Sequence, residues 1–258
     1  MKKILIAITV LASVIISIYF IPKLYNQSNN IKILEELNQQ NRVIPHFVDF
    51  TGKLYEIWNV SGYRAFEIDV IFNEKEKVFK IGHDNPTGKT LEDFLKFIDA
   101  KQLKKIWLDW KNLTKNNSKM ALQRLEYLDK KYQIKKIAIL ESGLDSIKFD
   151  DFTKAGWQTS FYLPTHEILD KKIDLKVLIN KINDNNIMAI SFDYRLYDFV
   201  IENLENNISK TLVYHTWDTT KKLENKSFIE NIKNKKYYND ERVKTILVTY
   251  RSLLHFIK

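Results

Sequence analysis

Eight short apolar runs, separated by longer amphipathic segments, constrain this chain more than any other feature. They are residues 43–47, 66–72, 105–111, 136–142, 159–164, 189–195, 210–218 and 244–250. All are rich in Ile, Val, Phe, Tyr or Trp, which suit a pleated, half-buried surface. Between them, Thr90 is a cap residue with Asp93 three positions on and an apolar i, i+3/i+4 stripe behind it, a helix start. Residues 120–132 and 175–182 show the same periodicity, and residues 228–234 show it more weakly. Strand–helix alternation predicts a parallel sheet, and eight units predict its closure into a (β/α)8 TIM barrel. The structural alternative is an open doubly wound sheet, which carries a Gly-rich phosphate loop after its first strand. Here the first run is followed by Asp49-Phe50-Thr51-Gly52, and the chain has 6 glycines in all.

The barrel occupies residues 43–258, preceded by two shorter segments. Residues 4–21 are uncharged and mostly apolar behind Lys2 and Lys3. Such a run is about the length of a bilayer-spanning helix, and the lysines favour a cytosolic N-terminus. Residues 1–21 are therefore read as a single-pass anchor that places the barrel outside the cytosol, periplasmic or extracellular. A cleaved signal peptide, and hence secretion, is the competing reading. It would want small residues before the cut, and the run ends Ile18-Tyr19-Phe20-Ile21-Pro22. Residues 22–42 read as a polar stalk with a short helix over 31–37.

The chain has no cysteine, which removes disulfides, thiolate nucleophiles and cysteine-ligated metal sites. Its formal net charge is +9; most of it is read as the product of a Lys-, Asn- and Ile-rich composition, and the functional alternative is an anionic partner such as a phosphodiester, a lipid headgroup or nucleic acid. The lysines are scattered, with no arginine-rich block or basic–aromatic repeat, which argues against nucleic acid.

In the second run, Phe66-Glu67-Ile68-Asp69-Val70, side chains alternate, so Glu67 and Asp69 share a face opposite Phe66, Ile68 and Val70. Helices cover the outside of a parallel barrel, so the apolar face packs outward and the two acids point inward. Like charges brought together in low dielectric favour a bound cation, and the hard divalent ions Mg2+ and Ca2+ prefer oxygen ligands. The third run repeats the pattern in Asp109 and Lys111. Asp109 is a candidate third ligand and Lys111 a candidate phosphate contact. His46 ends the first run, and His83 lies in Gly82-His83-Asp84. Two imidazoles flanking a carboxylate cluster suit a general acid and a general base.

The ordered set Pro45-His46, Gly62-Tyr63-Arg64-Ala65-Phe66-Glu67-Ile68-Asp69-Val70, Gly82-His83-Asp84 and Leu108-Asp109-Trp110-Lys111 resembles the glycerophosphodiester phosphodiesterases and the wider phospholipase C-like superfamily. Val213-Tyr214-His215-Thr216-Trp217-Asp218 is similar to that family's seventh strand. The resemblance covers about residues 43–250. It implies a TIM barrel, one divalent cation on Glu67, Asp69 and Asp109, and His46 and His83 as the acid–base pair. It also implies that a substrate hydroxyl attacks first, giving a cyclic phosphate that water then opens. The family's His-Arg-Gly is His46-Phe47-Val48 here, and its usual third-ligand Glu is Asp109. An Asp there, followed by x-Lys, is closer to the sphingomyelinase D-like and menorin-like branches.

Secondary candidates have a structural reading beside the functional one. Glu141 ends the fourth run and either reaches the site or caps a helix. Asp193 and Arg195 share a face of the sixth run, so Arg195 either holds phosphate or pairs with Asp193. His215 and Trp217 share a face of the seventh and either line the pocket or pack the core. His166 and His255 are read as solvated or structural. The resulting expectation is a metal-dependent phosphodiesterase acting on glycerophosphodiesters or phospholipid headgroups. The alternatives are an inactive anchored barrel that binds an anionic lipid or glycan headgroup, and an enzyme that stops at the cyclic phosphate.

Overall fold

The computed structural model describes residues 42–46, 48–49, 51–60, 62–86, 88–143, 149–185, 187–218 and 234–250. The expected anchor at 4–21, the stalk helix at 31–37, His255 and all but the last residue of the expected helix at 228–234 lie outside them. Among the described residues, no helix is long and apolar enough to cross a membrane.

All eight apolar runs form strands, and a ninth strand joins them. The strands are β1 (Val43–His46), β2 (Ala65–Asn73), β3 (Val78–Ile81), β4 (Lys105–Trp110), β5 (Ala138–Ser142), β6 (Gln158–Tyr162), β7 (Ala189–Asp193), β8 (Val213–Asp218) and β9 (Val243–Thr249). Their order in the sheet is β1-β9-β8-β7-β6-β5-β4-β2-β3. Every pairing is parallel except the β2–β3 hairpin. The sheet curls on itself in the manner of a (β/α)8 barrel. Just past β1, the Val48 N–H donates to the Glu67 carbonyl at 3.1 Å, bringing β1 and β2 together. Contacts also cross the interior: Lys105 Nζ on β4 donates to the Lys244 carbonyl and Thr245 Oγ1 on β9 at 3.0 and 3.2 Å.

Helices fill most of the connections. They include α1 (Thr51–Tyr55, continued by a π turn over Glu56–Val60), α2 (Leu91–Phe97), α3 (Ser118–Tyr132) and α6 (Leu175–Asp184); the short α4 (Phe149–Lys154) and α5 (Thr165–Leu169) lie between the last two. Thr90 and Asp93 close a reciprocal capping box at the start of α2, a device that contributes about 1 kcal/mol. Residues facing the helices make the core: Phe66, Ile68, Phe72, Ile106, Leu108 and Trp110 are each at most 1% exposed. Trp110 packs edge-on against Phe72, Phe79 and Phe152.

The hairpin strand β3 was not expected from the sequence. It occupies the edge of β2 from Val70 to Asn73, above the point where Val48 reaches Glu67. As β3 descends, it carries Gly82 to the level of Asp69, whose carbonyl accepts from the Gly82 N–H at 3.0 Å.

Candidate active site

Parallel register places the acids side by side. Asp69 on β2 pairs with Asp109 on β4, which pairs with Glu141 on β5. Glu67 lies one inward-facing position deeper, level with Trp107. Neighbouring strands are roughly 4.8 Å apart, so side chains on one face at one level must meet. Ligand oxygens of Glu67, Asp69 and Asp109 all lie within 4.8 Å of one another. Glu67 and Asp69 are 1% and 3% exposed. Burial, and then the Asp109 charge, push the Asp69 carboxyl above its usual range, while Lys111 opposes the shift. Lys111 Nζ sits 2.8 Å from Asp69 Oδ1 and 2.5 Å from Asp109 Oδ2. Burial works against the lysine charge, but these two carboxylates outweigh it and hold Lys111 above the usual lysine range.

This donor set fits a hard divalent cation. It is made of carboxylate oxygens alone, and buried Asp69 Oδ2 has no hydrogen-bond partner among the described residues. A bound ion would satisfy that oxygen and cancel the mutual repulsion.

The two candidate acid–base histidines reach this cluster by different routes. His46 is the last residue of β1, and its Nε2 lies 3.8 Å from Glu67 Oε2. Burial, then the charges of Lys53 and Lys111, lower its pKa to about 3, so its imidazole is neutral. His83 follows Gly82, whose φ is +136°. A Cβ at Gly82 would stand 3.0 Å from the Asn85 carbonyl oxygen and from Pro86 Cα, so the close turn requires glycine. His83 is half exposed, its Nδ1 is 2.8 Å from Asp84 Oδ1, and its charge bears on Asp69.

The secondary candidates divide. Glu141 is buried, and Trp107 Nε1 donates to its Oε2 at 3.1 Å. Burial and then Asp109 push its carboxyl well above the ordinary range. Trp217 stacks on Tyr162 with ring centroids 5.4 Å apart and planes 7° apart. These residues come from β8 and β6 and flank β7, and Tyr162 feels the charges of Glu141 and Asp109, so the stack borders the acid cluster. His215 lies deeper: it is 4% exposed, packs edge-on against Trp107 at 5.4 Å, and is lowered to about 3 by burial. It belongs to the barrel interior beneath the rim. Arg195 does not continue β7, which ends at Asp193. It lies in the following turn and grips Asp193 with two parallel hydrogen bonds at 2.8 and 2.9 Å.

Sequence reasoning missed Lys53, a buried lysine on α1 whose Nζ donates to the His46 carbonyl at 3.3 Å. Its charge is felt by His46, and those of Glu67 and Asp69 are felt by it. Thr51-Gly52-Lys53 has no local pattern that distinguishes it from a surface lysine.

No protein-family model and no curated protein matches this chain. Among solved structures it is similar to a protein provisionally described as a glycerophosphoryl diester phosphodiesterase from Agrobacterium tumefaciens, with TM-score 0.59, 12% identity, and coverage of 84% of this chain and 96% of that one. A protein with the same provisional description from Silicibacter pomeroyi matches with TM-score 0.55, 13% identity, and coverage of 84% and 94%. A glycerophosphodiester phosphodiesterase from Parabacteroides distasonis matches with TM-score 0.54, 15% identity, and coverage of 80% and 92%. At these identities the likeness establishes the shared α/β barrel-type fold.

Proposed function

We propose that this chain is a metal-dependent phosphoric diester hydrolase acting on glycerophosphodiesters or phospholipid headgroups. The observation that carries the reading is the convergence of Glu67, Asp69 and Asp109 within 4.8 Å, bridged by Lys111 and flanked by His46. The description of the Parabacteroides structure supports the substrate class. The basic N-terminus and the apolar run at residues 4–21 support a reaction outside the cytosol at a membrane surface.

Glu67, Asp69 and Asp109 would hold one Mg2+ or Ca2+, which when bound neutralises charge developing on the phosphate. Lys111 adds a fixed positive charge at the same rim. Neutral His46 accepts the proton of the attacking hydroxyl, from water or from the substrate itself, as its oxygen bonds to phosphorus. His83, on the exposed side of Asp69, donates a proton to the alkoxide released when the opposite P–O bond breaks. The Tyr162–Trp217 wall borders the acid cluster and orients the alcohol portion.

The test uses the full-length chain in mild detergent with glycerophosphocholine as substrate. Turnover should need Mg2+ or Ca2+, and should disappear in excess chelator and in a Glu67→Gln/Asp69→Asn double variant. Equal turnover with and without chelator would reject the assignment.

A further inference from the structure

We infer that Lys53 is a second phosphate-binding cation of this site, presented by the helix after β1 on the His46 side of the carboxylate cluster. The inference rests on the phosphodiesterase reading and adds to it a residue that neither the sequence pattern nor the metal-ligand geometry singles out.

Its first support is position. The Lys53 side chain leaves α1 and turns back to the end of β1, where its Nζ meets the His46 carbonyl at 3.3 Å. His46 Nε2 in turn lies 3.8 Å from Glu67. Lys53 is 7% exposed, so it is not a surface lysine reaching inward by chance. Burying an ammonium is costly unless anionic groups surround it. Burial holds Lys53 below the usual lysine range, and Asp49, Glu67, Glu56 and Asp69, two of them the proposed metal ligands, oppose that shift.

Charge supplies the second support. Three carboxylates, one divalent ion and Lys111 together carry no net charge. A phosphodiester anion entering such a site would meet no excess of positive charge. Lys111 is also committed to Asp69 and Asp109 at 2.8 and 2.5 Å. Lys53 brings a second positive charge to the opposite flank, which it shares with Asp49 and Glu56 beside it. The phosphate would then lie between a lysine on the β1 side and a lysine on the β4 side, with His46 next to the first. Lysine suits this role as a compact point charge.

Inorganic phosphate is the probe, titrated into the full-length chain with saturating Mg2+ and followed by phosphorus NMR line broadening and calorimetry. Lys53→Met should weaken phosphate binding by about tenfold or more, as expected for loss of a charge-assisted hydrogen bond. Lys53→Arg should bind within about threefold of the wild type, and Mg2+ affinity should not fall in either variant. If Lys53→Met does not fold, Lys53→Gln replaces it with the same expectation. Phosphate binding unchanged in the neutral variants but lost in Lys111→Met would overturn the role of Lys53 and leave the phosphodiesterase reading standing. Absence of both phosphate binding and diester turnover in the wild type would overturn that reading, and Lys53 with it.

Discussion

Lys111 offsets part of the carboxylate repulsion that a bound divalent ion would also offset, so its removal should make the fold itself metal-dependent. Carboxylate oxygens within 4.8 Å of one another repel by at least about 3.5 kcal/mol per pair at an effective dielectric of about 20. Lys111, at 2.8 and 2.5 Å from two of them, attracts each by roughly 6–7 kcal/mol on the same scale. Attraction and repulsion nearly cancel, and the burial cost left over is what raises the Asp69 carboxyl. In Lys111→Met the repulsion is uncompensated. Proton uptake by Asp69 relieves part of it, leaving a loss of about 3–5 kcal/mol in chelator, the usual cost of removing one partner from a buried pair. For a barrel of this size each kcal/mol shifts Tm by roughly 2–4 °C, so the variant should melt about 6–20 °C lower. A divalent ion at a hundred times its Kd stabilises the wild type by about 2.7 kcal/mol, and it should stabilise the variant by more because it also replaces the lost charge. Calorimetric melts of both proteins in EDTA and in Mg2+ measure all four values. Equal melting of the two proteins in EDTA would refute this account. A Mg2+ shift that survives in Glu67→Gln/Asp69→Asn would also refute it.

Four further outcomes are expected. His46→Ala should lower kcat on a diester by about 10²–10⁴-fold with calorimetric Mg2+ affinity intact. Gly82→Ala, which forces a Cβ to 3.0 Å from backbone at a φ of +136°, should cost about 1–3 kcal/mol in urea unfolding and reduce turnover by displacing His83. Trp107→Phe removes the Nε1 donor from buried Glu141 and should cost about 1–3 kcal/mol in the same assay. Tyr63 donates its hydroxyl to the Val43 carbonyl, and burial raises its pKa above the ordinary phenol value of about 10. Its contribution is therefore complete below pH 10 and lost as pH rises beyond it, where the unfolded phenol ionises first; Tyr63→Phe should flatten that alkaline decline in melts taken between pH 9 and 11.

The alternation of Phe66-Glu67-Ile68-Asp69-Val70 is local, and a period of two is enough to place Glu67 and Asp69 on one face whatever the strand pairs with. The same holds for Asp109 and Lys111, and it explains why all eight barrel strands and the helices at 91–97, 118–132 and 175–184 were legible from apolar periodicity and capping residues. The segment Val78–Ile81 was not legible, because four residues are too few to show a period and its partner edge on β2 lies across a turn. Arg195 was expected on the strand with Asp193, but the chain turns after Asp193 and the two side chains close on each other.

By itself the sequence determined which faces are apolar, how many strand–helix units there are, and which acids and imidazoles are available for chemistry. Depth, register and closure belong to the tertiary structure, because they depend on hydrogen-bonded ladders between segments far apart in the chain. Those ladders align Asp69 with Asp109 and Glu141 and sink His215 beneath Trp217. The hairpin brings His83 to Asp69, and the helix after β1 turns an inconspicuous Lys53 toward His46. Each of these placements sets how near a charge lies to its neighbours and how far from water, and spacing along the chain carries neither quantity.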